Sequence, residues 1–176
     1  IGEMRQQLRQ ALQQGALGLS SGLAYGSANA ASTEEIVTLV GEMANTGGIY
    51  TSHLRTEFDG ILEAMDEAFA TAKHGKVPLV VSHLKCAGAG NWGRSGEILQ
   101  HLERASSAHP IACDCYPYTA SSSTLDVKQV TADNDIFITW STPHPEQSGK
   151  MLADIATAWQ LSLEETAKKL MPAGAV

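Results

Sequence analysis

The chain has 176 residues, 43% hydrophobic and 18% charged, which fits one globular domain around one ordinary core and excludes a disordered segment. Its formal net charge of -7 argues against a nucleic-acid or anionic-membrane surface, since both recruit clustered Lys and Arg. No run of about 18 apolar residues occurs, so no membrane span is expected.

The opening residues, Ile1-Gly2-Glu3-Met4-Arg5, are polar and carry no signal-peptide pattern. The chain does not begin with Met, which reads as a processed protein or a piece of a longer one. The three cysteines, Cys86, Cys113 and Cys115, are an odd number without a secretion signal. Free thiols in a reducing, cytoplasmic setting are expected.

Met4, Leu8 and Leu12 lie on one helical stripe that Gly15 ends. Ala16 to Ser20 is a short run of strand type, followed by a small-residue loop from Ser21 to Gly26. Ser32-Thr33-Glu34-Glu35 is a capping-box pattern, and Ile36, Leu39, Val40 and Met43 behind it give a helix that stops at Asn45-Thr46-Gly47-Gly48. Gly48 to His53 is the next strand. Thr56 with Asp59 is expected to cap the following helix, whose buried face is Ile61, Leu62, Met65, Ala68, Phe69 and Ala72. Val77 to Ser82 is a third strand, Ile98, Leu99 and Leu102 carry another helix, and Pro110 to Tyr116 is a fourth strand.

Strands alternating with helices imply a parallel sheet with right-handed crossovers, and polar residues at the strand ends then gather on its carboxyl edge. After Tyr118 the rhythm breaks. Thr119 to Thr124 is a Ser/Thr-rich loop, 135–140 reads as one strand, and Met151, Ile155 and Trp159 suggest a helix. Ser162-Leu163-Glu164-Glu165 caps another helix running through Leu170, after which no finish is evident. This part reads as an insertion or appendage on the sheet.

One pattern repeats. Ser52-His53-Leu54-Arg55 is echoed by Ser82-His83-Leu84-Lys85, one strand–helix period later. Each histidine ends an apolar strand. Adjacent parallel strands lie about 4.8 Å apart, so two imidazoles there can share one divalent metal. The plainer reading is two half-buried histidines bonded at loop starts. Two ligands do not complete a site, and Asp114, Cys115 and Cys86 are weak candidates for the others. Arg55 and Lys85 follow their histidines by two residues, and a cation at such an edge can hold a substrate carboxylate, although a solvated loop charge is the commoner case. The loop Gly88 to Gly93 lacks the endings of a phosphate cradle. Gly18-Leu19-Ser20-Ser21-Gly22 fits a nucleophile-elbow pattern but has no helix directly after it.

The segments GALGLSSGLAY (15–25), GGIYTSHLR (47–55), VVSHLKCAGAGNWGRS (80–95) and DCYPYTASSSTL (114–125) together resemble the N-acyl-D-amino-acid deacylases, or D-aminoacylases, of the amidohydrolase superfamily. So do ITWSTPHPEQSGK (138–150) and the terminal PAGAV (172–176). The resemblance implies an α/β fold: a partial (β/α)8 TIM-type barrel, about strands four to seven with their helices, over residues 1–125. Residues 126–176 would be a family insertion and a helical segment leading toward the last strand.

The resemblance makes His53 and His83 zinc ligands at the ends of the fifth and sixth barrel strands. Lys85 and Tyr116 match positions that hold the substrate carboxylate, Ser122 lies in the same loop, and Leu17 matches a position lining the side-chain pocket. The family's His-x-His pair, its metal-bridging cysteine and its catalytic aspartate have no counterpart in these residues. The expectation is therefore a central fragment of a zinc-dependent hydrolase of small-molecule N-acyl-D-amino acids, inactive by itself. The alternative is a noncatalytic α/β binding or assembly module. The side chain at Leu17 leaves both apolar and acidic substrates open. Bare outer strands near 17–20 and 111–116 would invite association.

Overall fold

The computed structural model describes residues 1–176, which divide into two compact units, Ile1–Tyr116 and Pro117–Val176. The first unit contains α1 (Gly2–Gln13), β1 (Gly18–Gly22), α2 (Thr33–Gly41), β2 (Ile49–His53), α3 (Ile61–Gly75), β3 (Leu79–Val81), α4 (Ser95–Ser106) and β4 (Ile111–Cys113). The four strands pair in parallel, in the order β1-β2-β3-β4. Parallel neighbours need a crossover connection, and the α2, α3 and α4 segments supply the three.

Strand alternation sorts the sheet's two faces. Leu19, Tyr50, Leu79, Val81, Ile111 and Cys113 point into the helix-covered core, where they meet Val40, Ile61, Met65 and Ile98. Tyr50 is buried, yet its hydroxyl bonds Ser21 Oγ at 2.7 Å, so the phenol's polar atom is satisfied. On the other face, the register sets Ser20, Thr51, Val80 and Ala112 in one row. That row is small, and Ser20 and Ala112 are exposed.

Two glycines permit the close approaches. A Cβ on Gly75 would stand 2.6 Å from Val40 Cγ1 and 2.8 Å from Val40 O, so the α2–α3 contact requires glycine there. A Cβ on Gly18 would stand 1.8 Å from Ile49 O. The expected cap of α3 is different from the reading of its sequence. Gly60 is the N-cap and makes no side-chain bond. Thr56 Oγ1 instead accepts from the Phe58 amide, and Asp59 accepts from Asn91 Nδ2 at 2.7 Å. Strands β3 and β4 also end earlier than their apolar and polar runs suggest. The segments after Val81 and Cys113 turn out of the sheet, because their polar groups bond one another across the edge.

The second unit is antiparallel. It holds β5 (Ser123–Thr124), β6 (Phe137–Ser141), β7 (Lys150–Met151), α5 (Leu152–Trp159), α6 (Leu163–Leu170) and β8 (Ala173–Ala175). The sheet order is β5-β8-β6-β7. Ile138, Leu152, Ile155, Ala167 and Leu170 form its core. The capping box at Ser162 is present, with Glu165 N–H donating to Ser162 Oγ and Ser162 N–H donating to Glu165 Oε2. The terminal PAGAV segment, which shows no finish in its sequence, forms an inner strand between β5 and β6. Its small residues fit that place: a Cβ on Gly174 would meet Trp140 Nε1 at 2.1 Å. No helix in either unit is long and apolar enough to cross a membrane.

Candidate metal centre

The carboxyl ends of β2 and β3 bring four polar side chains together. His53 closes β2 and pairs in register with Gly22. Small residues at that neighbour leave room for a ring, and the Tyr25 ring packs against the imidazole at 4.8 Å between centroids. His83 follows Ser82 just past β3 and takes a left-handed backbone conformation, φ +41°. The two imidazoles meet edge to face, with centroids 4.4 Å apart and planes at 77°.

Glu57 joins them from the loop between β2 and α3. It is only 8% exposed, an unusual place for a carboxylate without partners. Its partners are at hand. Glu57 Oε1 lies 3.0 Å from His83 Nδ1 and accepts from Lys85 Nζ at 2.7 Å, while Oε2 stands 4.0 Å from His53 Nε2. Lys85 Nζ also donates to the His83 carbonyl at 2.9 Å and lies 2.9 Å from His83 Nδ1. One donor atom each from His53, Glu57 and His83 falls within 4.8 Å of the others.

Two features suit this cluster to a divalent cation. His53 Nδ1 is buried with no hydrogen-bond partner. Leaving such a group unpaired costs about 1–3 kcal/mol, and the other ring nitrogen, Nε2, is the one that faces Glu57. Burial lowers the His53 pKa, and the neighbouring His83 and Lys85 act the same way against an opposing pull from Glu57. The imidazole is therefore held in its neutral form, the form that binds metals. Two imidazoles and a carboxylate are a donor set that zinc accepts. The residues fit the group. His53 and His83 would hold it, with Glu57 as a further ligand or as the carboxylate that orients His83.

The remaining sequence candidates are distributed as follows. Lys85 Nζ stands 5.5 Å from the centre of the Tyr116 ring, so this tyrosine borders the cluster. Leu17 precedes β1 at the amino end of the strand, is 86% exposed, and is not brought to the carboxyl edge. Ser122 is an exposed residue of the second unit, next to β5. Arg55, the counterpart of Lys85 in the repeat, is committed elsewhere. It grips Glu67 through Nε at 2.9 Å and Nη2 at 2.7 Å, and donates to the Asn29 carbonyl. Cys86 and Cys113 pack on the core, and burial raises both thiol pKa values. Cys115 is exposed and stands outside the donor set. Ser20 sits within β1, and the chain turns through a loop before α2, so no nucleophile elbow forms. The loop at 87–93 turns its polar groups inward, with Asn91 Nδ2 donating to Asp59 and to the Ala87 carbonyl.

Glu57 is the site residue that sequence reasoning passes over. Its signal is faint: one acidic residue in the turn-rich stretch after His53, beside two more conspicuous capping candidates. Only the fold shows that it is buried beside Lys85.

The chain is similar to known proteins over nearly all its residues. It is 41% identical to N-acyl-D-glutamate deacylase from Alcaligenes xylosoxydans xylosoxydans over 174 residues, covering 98% of this chain and 36% of that protein. It is 38% identical to D-aminoacylase from the same organism, covering 100% of this chain and 36% of the relative. The crystal structure of N-acyl-D-glutamate deacylase from Bordetella bronchiseptica, complexed with zinc and a phosphonate mimic of the tetrahedral intermediate, superposes with a TM-score of 0.91. It is 42% identical, with 97% of this chain and 36% of that chain covered. A D-aminoacylase crystal structure, described as defining a novel subset of amidohydrolases, gives 0.92 at 38% identity, with 98% and 36% covered. No protein-family model matches the chain. The expected resemblance to the N-acyl-D-amino-acid deacylases is thus shown, and the chain spans about a third of the length of these relatives.

Proposed function

We propose that this chain is the part of a zinc-dependent N-acyl-D-amino-acid deacylase that carries two metal-binding histidines and the anchor for the substrate carboxylate. The observation that carries the reading is the convergence of His53, Glu57, His83 and Lys85 at the carboxyl ends of β2 and β3. Functional groups at that edge are what a barrel or doubly wound sheet provides. The four parallel strands are read as an arc of a (β/α)8 barrel, with the row Ser20, Thr51, Val80, Ala112 turned to its interior. Residues 126–176 are read as the accessory segment of the same protein.

Zinc, when bound, supplies a Lewis acid toward the amide carbonyl and acidifies a water. The chain's own side chains do the rest of what is assigned here. His53 is kept neutral and ready to ligate. Glu57 holds the His83 ring and the Lys85 ammonium in fixed places. Lys85 offers its remaining N–H to the carboxylate of an N-acyl-D-amino acid, a charge-assisted bond that also orients the amide. Tyr116, which borders the cluster, is assigned as a hydroxyl donor to that substrate. The acid–base aspartate is assigned to a segment beyond these residues. The setting is read as cytoplasmic, in keeping with three unpaired cysteines.

The test is zinc titration of the chain with a competing chromophoric chelator, alongside amide hydrolysis assays on N-acyl-D-glutamate, N-acyl-D-aspartate and an N-acyl-D-amino acid with an apolar side chain. One zinc should bind, and His53→Ala and His83→Ala should each abolish it. These 176 residues alone should release no D-amino acid at an enzymatic rate. Zinc binding unchanged in both histidine variants would refute the site.

A further inference from the structure

We infer that Asp114 is a positioning residue for His83: its carboxylate fixes the left-handed backbone turn that delivers the His83 imidazole to the cluster. The inference deepens the metal-site reading above and rests on it.

The starting point is the backbone. With φ at +41°, His83 occupies a region that costs an ordinary L-residue about 1–2 kcal/mol. Such a conformation persists only where its surroundings over-determine it. Here they do. The His83 amide donates to Asp114 Oδ1 at 2.6 Å. The His83 carbonyl accepts from Lys85 Nζ at 2.9 Å. On either side, Leu84 N–H donates to the Asp114 carbonyl at 2.9 Å and Asp114 N–H donates to the Val81 carbonyl at 3.1 Å. The amide and carbonyl of one residue are thus each held by a charged side chain.

The consequence reaches the ring. β3 stops at Val81, and a chain that stayed extended would keep following β4. The turn at His83 breaks that path, and the ring then stands 3.0 Å from Glu57 and edge-on to His53. Asp114 is suited to the task by reach and charge. It lies one residue past β4, on the neighbouring strand, and a short carboxylate there spans the gap to the amide. A bond from an amide to an ionised carboxylate is about twice as strong as a neutral one. Asp114 is not itself among the converging donors. It acts through His83.

The experiment compares the full chain with Asp114→Ala and Asp114→Asn, reading two quantities. The first is zinc affinity by chelator competition, and the second is the proton shift and hydrogen exchange of the His83 amide by NMR. In the unmodified chain that amide should be shifted downfield and exchange slowly. Asp114→Ala should lose both features and bind zinc at least about tenfold more weakly, in the range of orienting partners of metal ligands. Asp114→Asn keeps a neutral acceptor, so it should retain the protection, move the shift upfield and recover most of the affinity. A loss of thermal stability alone would not produce that recovery pattern. Zinc affinity within twofold of the unmodified chain in Asp114→Ala would overturn the inference, as would a His83 amide unmoved in either variant. Should the unmodified chain bind no zinc, the metal reading fails, and the His83 amide in the variants decides the positioning role. If Asp114→Ala does not fold, Asp114→Asn decides it: an upfield shift supports the role and an unmoved amide overturns it.

Discussion

Lys85 and Arg55 occupy matching positions in a repeated tetrapeptide, yet they meet different anions. Lys85 reaches Glu57 in the cluster, whereas Arg55 grips Glu67 in a bidentate pair on the helix side. The difference gives two predictions. Removing the Glu57 side chain leaves Lys85 and His83 without their shared acceptor. Glu57→Ala should weaken zinc binding by about 10–100-fold, with Glu57→Gln between it and the unmodified chain, measured by chelator competition. The second prediction concerns acid stability. Hydrogen bonds from Arg55 are the largest cause holding the Glu67 carboxyl below its ordinary range, against the opposing effect of burial. A carboxyl lowered in the folded state favours folding at every pH above its unfolded value. That contribution is lost as pH falls through the lowered folded value. Glu67→Gln should therefore destabilise the chain near neutrality by about 2 kcal/mol, the worth of hydrogen bonds to a charged group. Urea melts should also show a flatter decline in stability below about pH 4.5 for the variant than for the unmodified chain.

At the scale of the elements, the tightest joint is between α2 and α3. Gly75 lies against both the side chain and the carbonyl of Val40, which is fully buried. A methyl there must push backbone, not a flexible side-chain tip. Gly75→Ala should cost about 1–3 kcal/mol despite the better helix propensity of alanine. Thermal unfolding should register this as a fall of about 2–4 °C per kcal/mol. The same elements show how much was legible beforehand. The helices were readable because Ile36, Leu39, Val40 and Met43, or Ile61, Met65, Ala68 and Ala72, repeat at helical spacing. The N-cap at Ser32 and the capping box at Ser162 were readable because they are local bonds. The α3 cap misled for the opposite reason. Thr56 and Asp59 have the chemistry of caps, but Asn91, distant in sequence, takes the Asp59 carboxylate.

At the scale of the whole chain, β1 and β4 each have one neighbour in a parallel sheet, and Ser20 and Ala112, at the two ends of one row across that sheet, are exposed. Parallel sheets are ordinarily covered on both faces, and bare edges template pairing with another chain. The 176-residue chain should associate as its concentration rises, and sedimentation or light scattering across a dilution series checks this. A monodisperse monomer at every concentration would sink the expectation.

His53 and His83 were visible in the sequence as a repeated pattern because each follows its own apolar strand, and the strand–helix alternation made their neighbourhood predictable. Local chemistry and periodicity determined the helices, the parallel strands and that pair. The tertiary structure alone decided which charges they meet. Glu57 became part of the cluster because its loop folds back to within reach of Lys85. Asp114 became the partner of the His83 amide, 31 residues away in the chain, because β3 and β4 are neighbours. The closing PAGAV segment became an inner strand because β5 and β6 flank it. Each of these depends on groups far apart in sequence, whose bonds form only once the sheets have fixed their separation.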